Sequence, residues 1–186
     1  YLLLASSTTS HAQPIGNPYE VAQKGRTPFK ISEELDFSER ELKTDSKGIE
    51  RRVNSYNTKI SANFYNLLEI HGSVGALDSK ITGSVEGLPF KISNKVAPVY
   101  GIGGSLLLLN KDDWYLVLNG KYRFSEPDIK KFIISDMPLP VSGSIRQQEW
   151  QISTGLAKGF FDGIAVPYGG IFYSDGIFKF DAKIAG

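Results

Sequence analysis

Cysteine is absent from this chain of 186 residues. That excludes disulfide frameworks, thiolate metal centres and cysteine nucleophiles, and leaves the fold alone to supply stability. Histidine is nearly absent: His11 and His71 are the only two. No clustered imidazoles exist to hold a metal, so metal and cofactor sites are not expected. Neither sign of charge is in excess, with 21 basic and 20 acidic residues for a net charge of +1. This balance argues against a nucleic-acid binder, which needs a basic face, and against a disordered chain. No run approaches the roughly 20 apolar residues of a spanning helix. A helical membrane protein is thereby excluded, but a β-barrel is not, because its strands place only alternate residues in lipid. No glycine-rich phosphate loop leads from a strand into a helix, so nucleotide binding is unsupported. Helix is scarce too. The best candidate, residues 127–135, spans about two turns and is expected to be a loop, with a short helix as the alternative.

What is present is strict alternation of apolar and polar residues. Trp114, Leu116, Leu118, Gly120, Tyr122 and Phe124 interleave with Tyr115, Val117, Asn119, Lys121, Arg123 and Ser125. That period belongs to a β-strand with two unlike faces. The pattern predicts seven strands, near 27–42, 50–64, 67–78, 96–109, 114–125, 144–158 and 164–174. In the last of them Ile164, Val166, Tyr168 and Phe172 are expected on the apolar side. Leu88–Ile92, inside the connection after strand three, has the makings of a short extra strand or hairpin.

The connections carry further information. Tight turns are expected at 65–66, 110–113 and 160–163, and long ones at 43–49, 79–95 and 126–143. Short and long alternate, so in an antiparallel meander all tight turns fall at one end of the sheet. Outer-membrane barrels have this asymmetry. The expected fold is therefore all-β: an antiparallel up-and-down transmembrane β-barrel, with about seven strands present of 8 or 10 in the whole protein.

In such a barrel the polar face lines the lumen, because lipid cannot satisfy it. Lys30, Glu34, Asp36, Arg40, Lys59, Glu69, His71, Lys121, Arg123 and Glu149 are expected there as an ion-pair network. Phe37, Tyr56, Phe64, Trp114, Leu116, Leu118, Tyr122, Trp150, Ile152 and Tyr168 are expected to face lipid or to form the interfacial girdles. Glu33 disturbs the scheme, since an unbroken register puts it on the apolar face. Either it lies near an interface or a bulge shifts the register.

The chain starts with Tyr1, Leu2, Leu3, Leu4 and Ala5, like the end of an apolar signal core, followed by Ser10-His11-Ala12 as a cleavage site. Residues 1–12 are expected to be a signal-peptide remnant and 13–26, with Pro14, Gly16, Pro18 and Gly25, a linker. The barrel domain is then 27–186, expected to be truncated at its C-terminus because a terminal aromatic strand is missing, and export to the bacterial outer membrane follows.

Three segments carry a family resemblance: Leu35-Asp36-Phe37-Ser38-Glu39-Arg40-Glu41-Leu42, Asn66-Leu67-Leu68-Glu69-Ile70-His71-Gly72 and Pro167-Tyr168-Gly169-Gly170-Ile171-Phe172-Tyr173-Ser174-Asp175. Their order resembles small bacterial outer-membrane β-barrel proteins of the porin-like kind. The resemblance implies outer-membrane lipid as surroundings, lipopolysaccharide as a candidate contact of the outer loops, and the barrel-insertion machinery as a partner in biogenesis. It implies a structural or narrowly pore-forming role without catalysis. His71 lies beside Glu69 and Ser73, but residues two apart on one strand point the same way without aiming at a shared atom. The rival expectation is a soluble exported barrel, lipocalin-like, with its faces reversed around an apolar ligand.

Overall fold

The structure, a computed structural model, describes residues 2–7, 28–42, 49–161 and 165–184. It is an antiparallel all-β assembly with no helix among the described residues. Its strands are β1 (Leu2–Ser7), β2 (Phe29–Leu42), β3 (Ile49–Phe64), β4 (Leu68–Val85), β5 (Leu88–Asn94), β6 (Ala97–Lys111), β7 (Trp114–Ser125), β8 (Ile129–Ile134), β9 (Met137–Leu139), β10 (Val141–Lys158) and β11 (Tyr168–Ile184). The main sheet runs β2-β3-β4-β6-β7-β10-β11-β1, and a short branch, β5-β8-β9, leaves it from the far half of β4. The sheet curls until β2 side chains meet β7 across the interior. It does not close: among the described residues β2 forms a backbone ladder only with β3.

Local chemistry explains the hairpins. Tyr65-Asn66, Glu86-Gly87, Asp112-Asp113 and Ser135-Asp136 all have positive φ at both positions. Two such residues make the turn whose twist matches a right-handed strand pair. The first is closed by the Leu67 amide donating to the Phe64 carbonyl at 3.0 Å, and Asn63 Oδ1 accepts from the Asn66 amide at 3.1 Å.

Several expectations need correction. Residues 127–135, expected as loop or short helix, contain strand β8 (Ile129–Ile134), because this run pairs as a ladder with β5, Phe132 opposite Ile92. Strand seven is displaced towards the C-terminus and runs from Tyr168 to Ile184. Within it Tyr168 lies opposite Ala157, and Phe172 opposite Ser153, both of which are buried. Directly opposed residues share a face, so Tyr168 belongs to the inner register, half exposed at the strand end, and not to the lipid-facing set. The outward residues there are Ile171, Tyr173 and Ile177. Leu2–Ser7, expected as part of a leader, pairs with β11 as strand β1. The expected cleavage site, the linker 13–26 and Ile164 lie outside the described residues.

The core sits inside the curl, in separate pieces. At the long-loop end Ile49, Ile81, Ile92, Ile129, Ile145 and Phe178 form a dry cluster backed by Phe90 and Phe132. Val53, Leu77 and Val99 form a second, and Leu107 and Val117 a third towards the tight-turn end. Charged and amide side chains fill the space between.

Candidate functional site: a polar interior inside an apolar wall

The feature most unlike an ordinary domain is the placement of charge. Asp36, Arg51, Glu69, His71, Arg123, Gln147, Glu149 and Gln151 are buried, while Phe37, Tyr56, Phe64, Trp114, Leu118, Tyr122, Trp150 and Ile152 are exposed. Leu116 is half-buried on the same outward face. The strand period produces both sets at once, since consecutive residues point to opposite sides.

Register stacks the inward residues into rows that cross the sheet. One row runs Ser32, Lys59, Ser73, Gly101, Arg123, Glu149, Gly176. The next runs Lys30, Ser61, His71, Gly103, Lys121, Gln151, Ser174. Long side chains alternate with serine and glycine, which is how a narrow interior accommodates them. Gly103 makes the point: a Cβ there would lie 2.5 Å from His71 Nε2 and 2.6 Å from the Gly120 carbonyl oxygen.

Ion pairs join the rows across the interior. Arg123 donates to Asp36 Oδ2 at 2.8 Å and to Glu149 Oε2 at 3.3 Å. Glu34 is held between Lys59 at 3.3 Å and Lys121 at 3.5 Å, and Lys59 reaches Glu69 at 3.7 Å. Higher up, Arg51 donates to Gln147 and lies 4.6 Å from the centre of the Phe178 ring. Gln147 and Asn94 both donate to the Ser79 hydroxyl, at 3.3 and 2.6 Å. The acids Glu34, Asp36, Glu69 and Glu149 are thus met inside by Lys59, Lys121 and Arg123, while Arg51 is held by the Gln147 amide. Buried charges persist only when paired in this way.

The expected lumenal residues are therefore brought together, with two qualifications of place. Lys30 stands on the inner register opposite Ser61 but half-exposed near the strand start, and the Arg40 side chain lies outside the described residues. His71 is 4.0 Å from Glu69 through Nδ1, too far for a hydrogen bond, and its Nδ1 has no partner. Ser73 is not hydrogen-bonded to it, so no nucleophile–base pair forms. Arg51, Gln147, Asn94 and Ser79 are participants that alternation alone did not single out. Arg51, Ser79 and Gln147 lie just beyond the stretch of β3, β4 and β10 whose outward face is apolar, Asn94 ends the branch strand β5, and Arg51 follows the same odd-numbered inward register as Lys59.

Outside, at the long-loop end, charges pair in the open. Arg52 makes a two-pronged contact with Glu39 Oε1, at 3.0 and 2.9 Å. That hydrogen bond and the carboxylate charge hold the guanidinium pKa above its ordinary value. Arg146 donates to Glu126 at 3.1 Å, and Lys95 to Asp128 at 3.3 Å. No group of acidic residues and histidine suited to a metal occurs among the described residues. Comparison with family models, curated proteins and solved structures finds no match for this chain.

Proposed function

We propose that this chain is an integral outer-membrane β-barrel protein with a structural role and no catalysis, its apolar belt facing lipid. One observation carries the reading: the apolar face changes sides at a common level. Towards the tight turns the outward residues are apolar, as in Tyr56, Ile60 and Phe64 on β3, Ile70 and Val74 on β4, and Trp150, Ile152 and Leu156 on β10. Towards the long loops the same strands turn Ile49, Val53, Leu77, Ile81 and Ile145 inward, and Glu50, Arg52, Asp78 and Arg146 outward. Ile177 on β11 departs from this pattern, and Leu88, Val96 and Met137 are also exposed at the long-loop end. A sheet wholly in water gains nothing from such an inversion. A sheet that leaves hydrocarbon for water needs it, because the wet side and the dry side exchange.

Dimensions agree. From Tyr56 to Phe64 the belt is about nine residues long, the length of a tilted spanning strand. Aromatics mark both margins: Phe37, Tyr56, Tyr100, Tyr122 and Trp150 near the switch, and Phe29, Phe64, Tyr65 and Trp114 near the turns. Trp150 and Tyr173 pack with ring centres 5.2 Å apart. Girdles of this kind suit headgroup level.

Within the reading, a structural role is favoured over a narrow solute pore, because ion pairs and three dry clusters occupy the interior. Outer-membrane lipid is then the surrounding partner, lipopolysaccharide a contact of the outer loops, and the insertion machinery a partner in biogenesis. A lipocalin-like soluble barrel is disfavoured by the charges standing where an apolar ligand would sit. The test is partition of the expressed protein, with heat-modifiable migration in detergent and quenching of Trp114 and Trp150 by brominated lipid. Recovery as a soluble periplasmic protein, unquenched, would reject the proposal.

A further inference from the structure

A groove of about 510 Å³ opens at the long-loop end of β10 and β11. Ser142, Gly143 and Ser144 form its floor. Lys95 and Asp128 line one side, and Asp181 and Lys183 of β11 the other. Register explains the arrangement. Ile145 is buried, so its neighbours Ser144 and Arg146 stand on the outward face. Ser144 is bridged to Asp128 and stands opposite Asp181 on β11. Arg146 stands opposite Lys179, and Ser142 opposite Lys183. A side chain at Gly143, where φ is +151°, would run into the Asp181 carbonyl oxygen, so glycine lets the two backbones approach beneath the groove. Two of the cations already have partners: Lys95 lies 3.3 Å from Asp128, and Arg146 lies 3.1 Å from Glu126. Lys179 and Lys183 have no carboxylate within ion-pair distance among the described residues.

We infer that this groove binds the phosphorylated saccharide headgroup of a lipid in the surrounding leaflet. The inference rests on the membrane reading above and gives its outer-loop lipid contact a place. Hydrogen-bonding capacity sets the chemistry. A lysine only donates and a carboxylate only accepts. Lys179 and Lys183 therefore call for anionic oxygens, and Asp181 between them calls for donors, which sugar hydroxyls supply. The lysines stand four residues apart on one face of β11, about 13 Å. That order fits an anionic group at each end of a hydroxyl-bearing body. Arg146 and Lys179 are directly opposed like charges, which repel, and a phosphate lying between them removes that cost. Height decides between lipid classes. Ser144 lies six residues beyond Trp150, whose ring packs on Tyr173 at the margin of the belt. Six residues of a strand tilted by about 40° rise about 15 Å. The headgroup layer of a phospholipid is about 5–8 Å thick, so a phospholipid ends below the groove and a saccharide headgroup reaches it.

The experiment uses the full chain. Flotation with phosphatidylcholine vesicles and heat-modifiable migration are read first, for the parent and for every variant. The folded protein in zwitterionic micelles is then titrated calorimetrically with phosphorylated lipooligosaccharide, with the same lipid stripped of its phosphates, and with phosphatidylglycerol. The parent is expected to bind the first at least tenfold more tightly than either of the others. Lys179→Glu combined with Lys183→Glu should lose at least tenfold in affinity, about what two headgroup-level cations contribute. Lys91→Glu, an exposed lysine at the same end, should stay within about twofold of the parent. Asp181→Ala should weaken binding, since it removes an acceptor for sugar hydroxyls, whereas a plain field of positive charge would be strengthened by the same change. Flotation of the parent with no binding overturns the groove and leaves the membrane reading intact. So does equal binding of phosphatidylglycerol or of the stripped lipid, parental affinity in the double variant, or tighter binding by Asp181→Ala. Failure of the parent to float overturns both.

Discussion

Arg123 is the residue on which the interior most depends. It stands on β7 and holds Asp36 of β2 at 2.8 Å and Glu149 of β10 at 3.3 Å, all three side chains being at most 10% exposed. Replacing it by Met removes the cation and leaves two carboxylates near each other in a dry interior. Removing one partner of a buried pair costs about 3–5 kcal/mol, most of it the penalty of the charge left behind. With a urea slope of about 1–3 kcal/mol per M, the unfolding midpoint falls by about 1 M or more. The assay is equilibrium unfolding in detergent micelles followed by tryptophan fluorescence, since Trp114 and Trp150 lie on the two strands that Arg123 joins or borders. The triple change Arg123→Met with Asp36→Leu and Glu149→Met supplies the control. Removing all three charges together is expected to restore the midpoint to within about 1 kcal/mol of the parent, because exchanging a whole buried network for apolar groups is often neutral. A loss below about 1 kcal/mol in the single variant, or no recovery in the triple one, would refute the argument that these charges compensate one another across the interior.

Four further outcomes are expected. Gly103→Val should abolish heat-modifiable folding, since its Cβ meets His71 and the Gly120 carbonyl, whereas Gly120→Ala, with nothing within 4 Å of its Cβ, should fold normally. Glu39→Ala should leave the unfolding midpoint unmoved, because the Arg52 pair is exposed and surface pairs contribute little; a clear drop would mean that this rim is buried against something. His71→Ala should leave lipid and peptide turnover at the level of the parent; a fall in turnover would expose a catalytic role. On β4, Val74→Asp should block insertion into vesicles, Lys80→Asp should be tolerated, and Ile81→Ala should cost about 2–5 kcal/mol as a core truncation does; insertion by the Val74→Asp variant would count against the belt.

Much of the sheet was legible because a period of two leaves little freedom. The strand at 114–125 and the turns at 65–66 and 112–113 follow from alternation and from residues tolerant of positive φ. The pairing of Glu34, Lys59, Lys121 and Arg123 in one interior followed from their shared face. What alternation could not reveal was how far each strand continues. β4 and β11 run well past their expected ends because their outer portions alternate in the opposite sense, with Leu77, Ile81 and Phe178 inward. A pattern that keeps its period but exchanges which face is apolar reads as an interruption. The β8 segment was missed for a different reason. Its run Ile129-Lys130-Lys131-Phe132-Ile133-Ile134 has spacing compatible with one helical face, and only pairing with β5, distant in sequence, selects the strand. Tyr168 was assigned to the wrong face because the register near Gly169 and Gly170 is fixed by β10 rather than by the local pattern.

The exchange of faces also bears on why the interior is built in pieces. On the membrane reading proposed above, the belt has lipid outside, so burying oily residues inside gains nothing further from water and the interior is free to be held by charge and hydrogen bonds; this is the level of Glu34, Lys59, Lys121, Arg123 and Glu149. Where the outside is wet, the hydrophobic effect becomes available again as a driving force. There the chain uses it: Ile49, Ile81, Ile92, Ile129, Ile145 and Phe178 close the interior, and the β5-β8-β9 branch contributes two of those six residues. The branch is therefore not an ornament on the sheet. It supplies apolar volume beside Arg51 and Gln147 that the main strands, committed to a polar interior lower down, do not provide.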